Sequence, residues 1–213
     1  MLYSQTPASE KRRLLRERLR AGELVRFPGA FNPLSARMIE QKGFEGVYIS
    51  GAVLSADLGL PDIGLTTLTE VAGRGQQIAR MTELPAIIDA DTGFGEPMNV
   101  ARTIQTLEDA GLSGTHIEDQ VNPKRCGHLD GKQVVDTDNA LQRIRAAVDA
   151  RRDPTSSSWR APTSAPSRGW TPPSIGPRRS WMPGPTRSSP RRCATSRSSP
   201  PCAPPSTCPC WRT

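Results

Sequence analysis

The stretch Pro-Ala-Ile-Ile-Asp-Ala-Asp-Thr-Gly-Phe-Gly, residues 85–95, joins an apolar run to two aspartates and a glycine-rich turn. A continuous apolar run is typical of a strand that is buried on both faces, as in parallel sheets covered by helices. Helical periodicity follows over residues 97–110, so the segment forms one βα unit. The stretch therefore predicts an α/β fold with acidic side chains at the carboxyl end of a strand.

Four such units follow one another along the chain. In each, a short apolar run ending in small or acidic residues precedes a helical pattern. The predicted strand and helix pairs cover residues 24–31 and 33–42, 46–50 and 67–82, 85–91 and 97–110, and 114–119 and 138–150. A further helix is predicted over residues 9–22, with Ser9 as its cap and Gly22 as its stop.

The repetition fits either a TIM (β/α)8 barrel or a doubly wound sheet. Helical crossovers imply parallel strand pairing in both architectures. We favour the barrel because candidate catalytic side chains follow several successive strands, and a barrel carries its site at the carboxyl ends of its strands. A barrel needs eight units, so these four predict the N-terminal half of one.

The composition of the chain changes at Asp153. The 213 residues carry a net charge of +7, yet all 21 acidic residues and 19 of the 28 basic ones lie before residue 154. Residues 154–213 contain nine arginines, no lysine and a dense mixture of Pro, Ser and Thr. Such a segment lacks the apolar content that offsets ordering entropy. We predict a folded domain over residues 1–153 and a disordered tail over residues 154–213.

The tail raises two alternatives to an enzyme. Its nine arginines and four tryptophans could grip phosphates and stack on bases, but no predicted helix or sheet presents them. Four cysteines could bind zinc, but their spacing contains no paired C-x-x-C pattern. They are Cys193, Cys202, Cys208 and Cys210. We expect neither nucleic acid nor zinc to bind.

The cysteine content and the N-terminus indicate a cellular compartment. Cys126 is the single cysteine of residues 1–153, so no disulfide framework is implied for the folded part. The first 20 residues are charged and lack the apolar run of a signal peptide, and no stretch approaches membrane-spanning length. We expect a cytoplasmic location and no membrane partner.

Asp89 and Asp91 form the first candidate site. Two residues apart on a strand, their carboxylates point to the same side. Paired carboxylates repel each other unless a cation lies between them, and hard oxygen ligands with room for water suit Mg²⁺. The alternative is an Asp-rich loop that caps the next helix.

Two more motifs follow the next predicted strand. Glu118 lies on the same side as His116 by strand alternation, so it could orient a metal-bound water or a substrate hydroxyl. Beyond it, Cys126 is flanked by Lys124, Arg125 and His128, a positive field that favours the thiolate. Such a cysteine can give or take a proton near neutral pH. The alternatives are a strand end that satisfies neighbouring backbone groups, and an inert cysteine.

A fourth candidate is Ser50-Gly51-Ala52, which follows the predicted strand 46–50. Free N–H groups and a hydroxyl after a strand can cradle an anion. The glycine-rich segment of residues 59–64 contains Asp62, a candidate outer partner of the metal. Either segment could instead be an ordinary turn, the interpretation that we favour from the residues alone.

Taken together, the motifs resemble the methylisocitrate lyases of the isocitrate lyase and phosphoenolpyruvate mutase family. The resemblance covers residues 9–153, in order, and rests on Y-I-S-G-A, G-L-P-D-I-G, D-A-D-T-G-F-G, H-I-E-D-Q and K-R-C-G-H. It implies a TIM barrel, usually tetrameric, that uses Mg²⁺ to split 2-methylisocitrate into pyruvate and succinate in propionate catabolism. Other activities of the family, namely isocitrate lyase, oxaloacetate decarboxylase and phosphonopyruvate-type chemistry, stay open as alternatives.

The resemblance also implies a role for each candidate residue. Asp89 and Asp91 hold the metal directly or through water, with Asp62 and Glu118 supporting it. Cys126 is the acid that protonates the succinate carbanion. The remaining residues meet the substrate, Ser50, Gly51 and Ala52 at its carboxylate and Gly127 and His128 along the pocket. Ala52 departs from relatives with a second glycine there.

The same family continues with an A-R-T-D string and an F-P-E string, which bring an arginine and a glutamate into the site. Neither string is present in residues 154–213. We hypothesise a frameshift near codon 154, because reading G/C-rich codons one nucleotide earlier yields family-like segments. Residues 155–163 then give F-V-V-M-A-R-T-D, residues 181–191 give D-A-G-A-D-A-I-F-P-E, and residues 207–213 give D-V-P-V-L-A-N. We expect the chain as written to be poorly folded and inactive.

The nucleotide sequence around codon 154 tests the frameshift. We expect the codons actually present to encode all three segments in the shifted frame. The arginine would span the codons of Arg160 and Ala161, and the glutamate those of Pro190 and Arg191. A gene whose shifted frame lacks these strings would contradict the hypothesis.

Overall fold

The computed structural model describes residues 3–161, with side chains through Ser156. A four-stranded sheet lies at its centre, with strands β1 (Val47–Ile49), β2 (Ala86–Asp89), β3 (Gly114–Glu118) and β4 (Ser157–Ala161). All neighbouring strands are parallel, and their spatial order is β1-β2-β3-β4. Each strand thus pairs with the next one in the chain. A doubly wound sheet reverses this order at its switch point, and no reversal occurs among the described strands.

Within residues 3–161, six helices connect or flank the strands. They are α1 (Ala8–Arg20), α2 (Pro33–Gln41), α3 (Gly51–Asp57), α4 (Leu68–Ala79), α5 (Pro97–Asp109) and α6 (Thr137–Ala150). Asn32 caps α2 and Thr67 caps α4, each in a reciprocal capping box with the residue three positions later. Asp136 caps α6 by accepting the Asn139 N–H. None of the helices within residues 3–161 is long and apolar enough to cross a membrane.

The structure differs from the predicted elements in four places. The predicted strand 24–31 is wrong as a strand, because only Gly29 forms an isolated parallel bridge, with Tyr48, and the preceding Pro28 has no N–H to donate. Helix α1 begins at Ala8 behind Pro7, so Ser9 is not its cap. Helix α3 replaces a predicted turn. Strand β4 (Ser157–Ala161) lies within the segment predicted to be disordered from residue 154, so that prediction is wrong for these residues. The predicted disordered tail lies outside the described residues from position 162 onward.

Both faces of the sheet are covered. On one face the main apolar core packs β1, β2 and β3 against α2, α4, α5 and α6, with Ile88 fully buried at its centre. The neighbouring Ile87 points to the other face, where it meets Leu15 of α1 in a second cluster. Helix α1 therefore covers the face opposite the connecting helices, so within residues 3–161 no open apolar face supports the expectation of a poorly folded chain.

Buried basic residues attach α1 to the amino ends of the strands. The Lys11 ammonium donates to the carbonyl oxygens of Ala79, the last residue of α4, and of Thr82 in the turn before β2. The Arg12 guanidinium donates to Glu108 and Leu112, at the equivalent place before β3. These carbonyls belong to the ends of α4 and α5 and their following turns, where the helix itself supplies no donor. The charged face of α1 is thus part of the interior.

Truncation of Leu15 tests the packing of α1. Leu15 is fully buried, whereas Leu14 on the same helix is 36% exposed. We expect Leu15→Ala to lower the free energy of unfolding by about 2–5 kcal/mol, because it leaves a cavity against Ile87. Leu14→Ala, the matched control, should change it by less than about 1 kcal/mol. Equal effects of the two changes in urea denaturation would contradict this packing.

Candidate active site

Polar side chains gather at the carboxyl ends of three neighbouring strands. Tyr48 lies on β1, Asp89 ends β2, and His116 and Glu118 lie on β3. The register pairs Asp89 with His116, so these two side chains are neighbours across the sheet. The sequence placed Asp89, His116 and Glu118 at strand ends, as observed, but it gave no role to Tyr48.

The two aspartates come together by a turn and not by strand alternation. Strand β2 ends at Asp89, and Asp91 has a φ of 46°, in the left-handed region. Its N–H donates to Asp89 Oδ1 at 3.0 Å. A Cβ atom added at Gly51 would lie 2.9 Å from Asp89 Oδ2 and 3.3 Å from Asp91 Oδ1, so both carboxylates converge on this glycine. Burial, then the Asp89 charge, raises the pKa of Asp91.

The Thr-Gly-Phe-Gly turn beyond Asp91 presses against α5. Phe94 has a φ of 61° and Gly93 one of 89°, and a Cβ at Gly93 would lie 2.6 Å from Val100. Two left-handed non-glycine residues, Asp91 and Phe94, therefore concentrate backbone strain at this site. The alternative that the aspartates cap the next helix is wrong, because Glu96 is the N-cap residue of α5.

Lys124 links Asp62 to the aspartate pair. Its Nζ atom lies 2.5 Å from Asp62 Oδ1 and 2.7 Å from Asp91 Oδ1, and the residue is only 2% exposed. Burial alone lowers the pKa of Lys124, but the Asp91 and Asp62 carboxylates outweigh it and raise that pKa. The ammonium thus compensates negative charge that would otherwise be buried without a counterion. Sequence reasoning assigned Lys124 only a general role in the positive field around Cys126.

A chain of polar contacts crosses β1, β2 and β3. The Tyr48 hydroxyl lies 2.8 Å from His116 Nε2, and the two rings stack with centroids 5.8 Å apart. On the other side of the imidazole, Nδ1 lies 3.7 Å from Asp89 Oδ1 and has no hydrogen-bond partner. Burial, then the Asp89 charge, raises the pKa of Tyr48. The hydroxyl therefore stays protonated at neutral pH.

Glu118 is held where its proton affinity is high. Burial, followed by the charge of Asp89, raises the pKa of Glu118 to about 7. The Gln120 side-chain amide donates to Glu118 Oε2 at 2.7 Å. A Cβ at Gly127 would lie 3.9 Å from Glu118 Oε1, so the loop after β3 folds back over this carboxyl group.

Cys126 lies in that loop, half-buried, and the predicted bias toward its thiolate is wrong. Burial raises the pKa of the Cys126 thiol, and Asp62 adds to the rise, although the backbone N–H of His128 opposes it. The predicted positive field is weak because Lys124 is paired with two carboxylates and Arg125 is exposed and bonded to Asp130 O. The His128 side chain is exposed. The raised pKa therefore favours the protonated thiol over the thiolate.

Ser50, Gly51 and Ala52 lie at the start of α3, next to Asp89. The Gly51 N–H donates to Asp89 Oδ2 at 3.3 Å, so it is not free in the way that the anion cradle required. Ser50 is the N-cap residue, yet its hydroxyl makes no cap hydrogen bond. The segment is brought to the aspartate pair as predicted, but its first N–H already has an acceptor.

The donor set at this edge consists of oxygens that suit a hard cation. Within residues 3–161, no three His, Cys, Asp or Glu side chains are arranged to hold a metal ion. The convergence of Asp89 and Asp91 on Gly51 nevertheless supplies two carboxylates, which fits Mg²⁺ because this ion keeps several of its waters. A cavity of about 580 Å³ borders Asp91 and Lys124 but does not include Glu118 or Cys126 in its lining.

Comparison with known proteins identifies the class of enzyme. The family model for phosphoenolpyruvate phosphomutase matches residues 15–157, and the chain belongs to this family. A probable 2-methylisocitrate lyase of Corynebacterium glutamicum is 66% identical over 153 residues, which are 71% of this chain and 50% of the relative. A 2-methylisocitrate lyase of Aeropyrum pernix is 48% identical over 140 residues, 66% of this chain and 46% of the relative. The chain spans about half the length of the curated relatives that it matches.

Solved structures give the same result. The crystal structure of 2,3-dimethylmalate lyase, a member of the PEP mutase/isocitrate lyase superfamily, matches with a TM-score of 0.70 and 37% identity. The match covers 78% of this chain and 56% of that one. Phosphonopyruvate hydrolase in complex with oxalate and Mg²⁺ matches with a TM-score of 0.66 and 34% identity, over 71% of this chain and 52% of that one.

Removal of Lys124 tests the charge balance of the site. We expect Lys124→Met to destabilise the fold by about 3–5 kcal/mol at pH 8, because Asp62 and Asp91 lose their buried counterion. The loss should shrink toward pH 5, since the raised pKa of Asp91 lets that carboxyl take up a proton in the folded state. Urea denaturation at both pH values measures the effect.

Lys132→Met is the matched control. Its ammonium donates only to the carbonyl oxygens of Gly127 and Leu129 in the same loop. We expect a small loss that does not depend on pH. A loss for Lys124→Met that equals that of the control, or that grows toward pH 5, would contradict the proposed charge balance.

Proposed function

We propose that the chain is the N-terminal half of a magnesium-dependent carbon–carbon lyase that cleaves 2-methylisocitrate to pyruvate and succinate. The observation that carries this proposal is the group of buried carboxylates at Asp89 and Asp91, with the Cys126 thiol, whose pKa is raised by burial, in the loop beside it. The names of the relatives support the substrate, and their greater length supports the remaining half.

The metal site is proposed on the acidic edge of the sheet. Asp89 and Asp91 would hold Mg²⁺ directly or through water, with Asp62 and Glu118 supporting it. The bound ion would neutralise the negative charge on the substrate alkoxide oxygen, which becomes the ketone oxygen of pyruvate. Lys124 pairs with both Asp62 and Asp91, so the Asp62 carboxylate is held near Asp91 before any metal ion binds.

The chain's own residues would handle the substrate and the proton. Ser50, Gly51 and Ala52 would meet a substrate carboxylate, and Gly127 and His128 would line the pocket. The substrate hydroxyl would lose its proton to a general base, and its oxygen would form the C=O bond of pyruvate as the carbon–carbon bond breaks. The electron pair of that bond stays on the succinate carbon, and the Cys126 Sγ–H gives its proton to that carbon. The raised pKa of Cys126 suits this step, because the thiol is then protonated when the carbanion forms.

The same proposal assigns the architecture. Four parallel strands in chain order and relatives of twice the matched length support half of a TIM barrel. The arginine and glutamate that the family brings from its second half would be absent, so we propose that the chain as written has no lyase activity. A tetramer, like that of the family, would require the intact barrel.

Restoration of the reading frame tests the function. We expect the restored protein to release pyruvate from 2-methylisocitrate, and the 213-residue chain to release none. Cys126→Ser in the restored protein should lower kcat by about 10²–10⁴-fold, the usual contribution of a general acid. Chelation of divalent cations should abolish turnover, and added Mg²⁺ should restore it.

Leu129→Ala is the control for Cys126→Ser, because Leu129 is exposed in the same loop. It should keep nearly full activity. Turnover that survives both the loss of the thiol and exhaustive chelation would sink the proposal. Turnover of another family substrate at a higher kcat/KM would correct the substrate but leave the acid and metal roles in place.

A further inference from the structure

Gln120 lies directly after β3 and joins it to the loop that carries Cys126. The residue is 1% exposed, and its side chain makes three hydrogen bonds. The amide nitrogen donates to Glu118 Oε2 at 2.7 Å and to Arg125 O at 2.6 Å. The amide oxygen accepts the Arg125 N–H at 3.0 Å. Both N–H groups of the amide and one side of its oxygen are therefore in use.

The backbone of Gln120 is fixed independently. Its carbonyl oxygen accepts a hydrogen bond of 2.9 Å from the Arg143 guanidinium of α6. An isolated antiparallel bridge pairs Gln120 with Val134, so the two ends of the intervening loop are joined. The Gln120 side chain thus extends from a fixed backbone, so Glu118 and the Arg125 backbone that it bonds are held in place relative to the sheet.

We infer that Gln120 is a positioning residue that fixes the Cys126 thiol relative to the Glu118 carboxyl group. One amide grips both backbone groups of Arg125, the residue next to Cys126, and also one carboxylate oxygen of Glu118. The loop returns over Glu118 at Gly127, where an added Cβ would lie 3.9 Å from Glu118 Oε1. The inference rests on the proposed function only in taking Cys126 and Glu118 as working groups.

The chemistry of the position favours glutamine over its nearest analogues. A leucine would leave Glu118 Oε2 and both backbone groups of Arg125 without their partners in a buried place. A glutamate would set a second carboxylate against Glu118, where the native contact is 2.7 Å, and would lose the donor to Arg125 O. Only a side-chain amide offers two donors and an acceptor at this length.

Hydrogen exchange on the 213-residue chain gives a first test without any substitution. We expect the Arg125 amide to be protected to a degree comparable with the Ile117 amide on β3, because Gln120 Oε1 accepts its hydrogen. Exchange of the Arg125 amide at the rate of an unstructured chain, with or without protection of β3, would overturn the inference.

Alkylation of Cys126 by iodoacetamide, followed peptide by peptide with mass spectrometry, gives the second test. We expect Gln120→Leu to raise the Cys126 rate about tenfold, since the lost hydrogen bonds free the loop to open. Gln133→Leu is the matched control, because Gln133 is exposed on the segment that bridges Gln120. The rate of Cys126 alkylation in this variant should equal that of the unsubstituted chain. The tail cysteines serve as internal references.

A charge exchange separates positioning from general stability. Gln120→Glu alone should raise the alkylation rate, and Glu118→Gln combined with Gln120→Glu should restore part of the native rate by rebuilding one amide–carboxylate pair. A rise that appears only together with lost protection of the Ile87 and Ile88 amides, or no rise at all, would overturn the inference. None of these readouts needs turnover, so an inactive restored enzyme would refute the proposed function and leave this result standing.

Discussion

The burial of negative charge at one edge of the sheet is the constraint on which the rest of the site depends. Asp89 and Asp91 lie in contact with the same glycine, where their repulsion is strong and water is scarce. Lys124 compensates part of this charge and, because it comes from the loop after β3, it also attaches that loop to the strand ends. Lys124 therefore both balances the charge of the site and holds the Cys126 loop in position.

The two ends of the sheet use opposite charge for different purposes. At the amino ends, basic residues of α1 donate to backbone carbonyls, so Lys11 and Arg12 serve the stability of the fold. At the carboxyl ends, carboxylates such as Asp89 and Glu118 face one another with few basic partners. Stability is thus concentrated at the end away from the chemistry, which leaves the other end able to keep strained backbone and shifted proton affinities.

The sequence predicted most of the elements and the edge on which the site lies, because periodicity and strand ends are local properties. It could not predict contacts between residues that are distant in sequence and come together only when the chain turns back in the fold. The alternation argument for Asp91 failed because the strand ends at Asp89 and a left-handed turn follows. The expected thiolate at Cys126 failed because Lys124, its neighbour in sequence, turns away to distant carboxylates. Gln120 ends the H-I-E-D-Q motif but was assigned no role from the sequence, and its role follows only from the groups that its side-chain amide contacts.

The assembly of the acidic edge from three consecutive strands explains how half of the proposed barrel can contain a recognisable site. Every contact among Asp89, Asp91, His116 and Lys124 lies within residues that precede the change in composition at Asp153. The carboxylate cluster and its loop can therefore form without the second half of the proposed barrel. Turnover is a stricter demand, because negative charge moves from the substrate alkoxide to the succinate carbanion and needs positive charge on more than one side. On the described residues the cationic Lys124 is already neutralised by Asp62 and Asp91, so the missing positive charge has to come from the metal and from the arginine of the proposed second half.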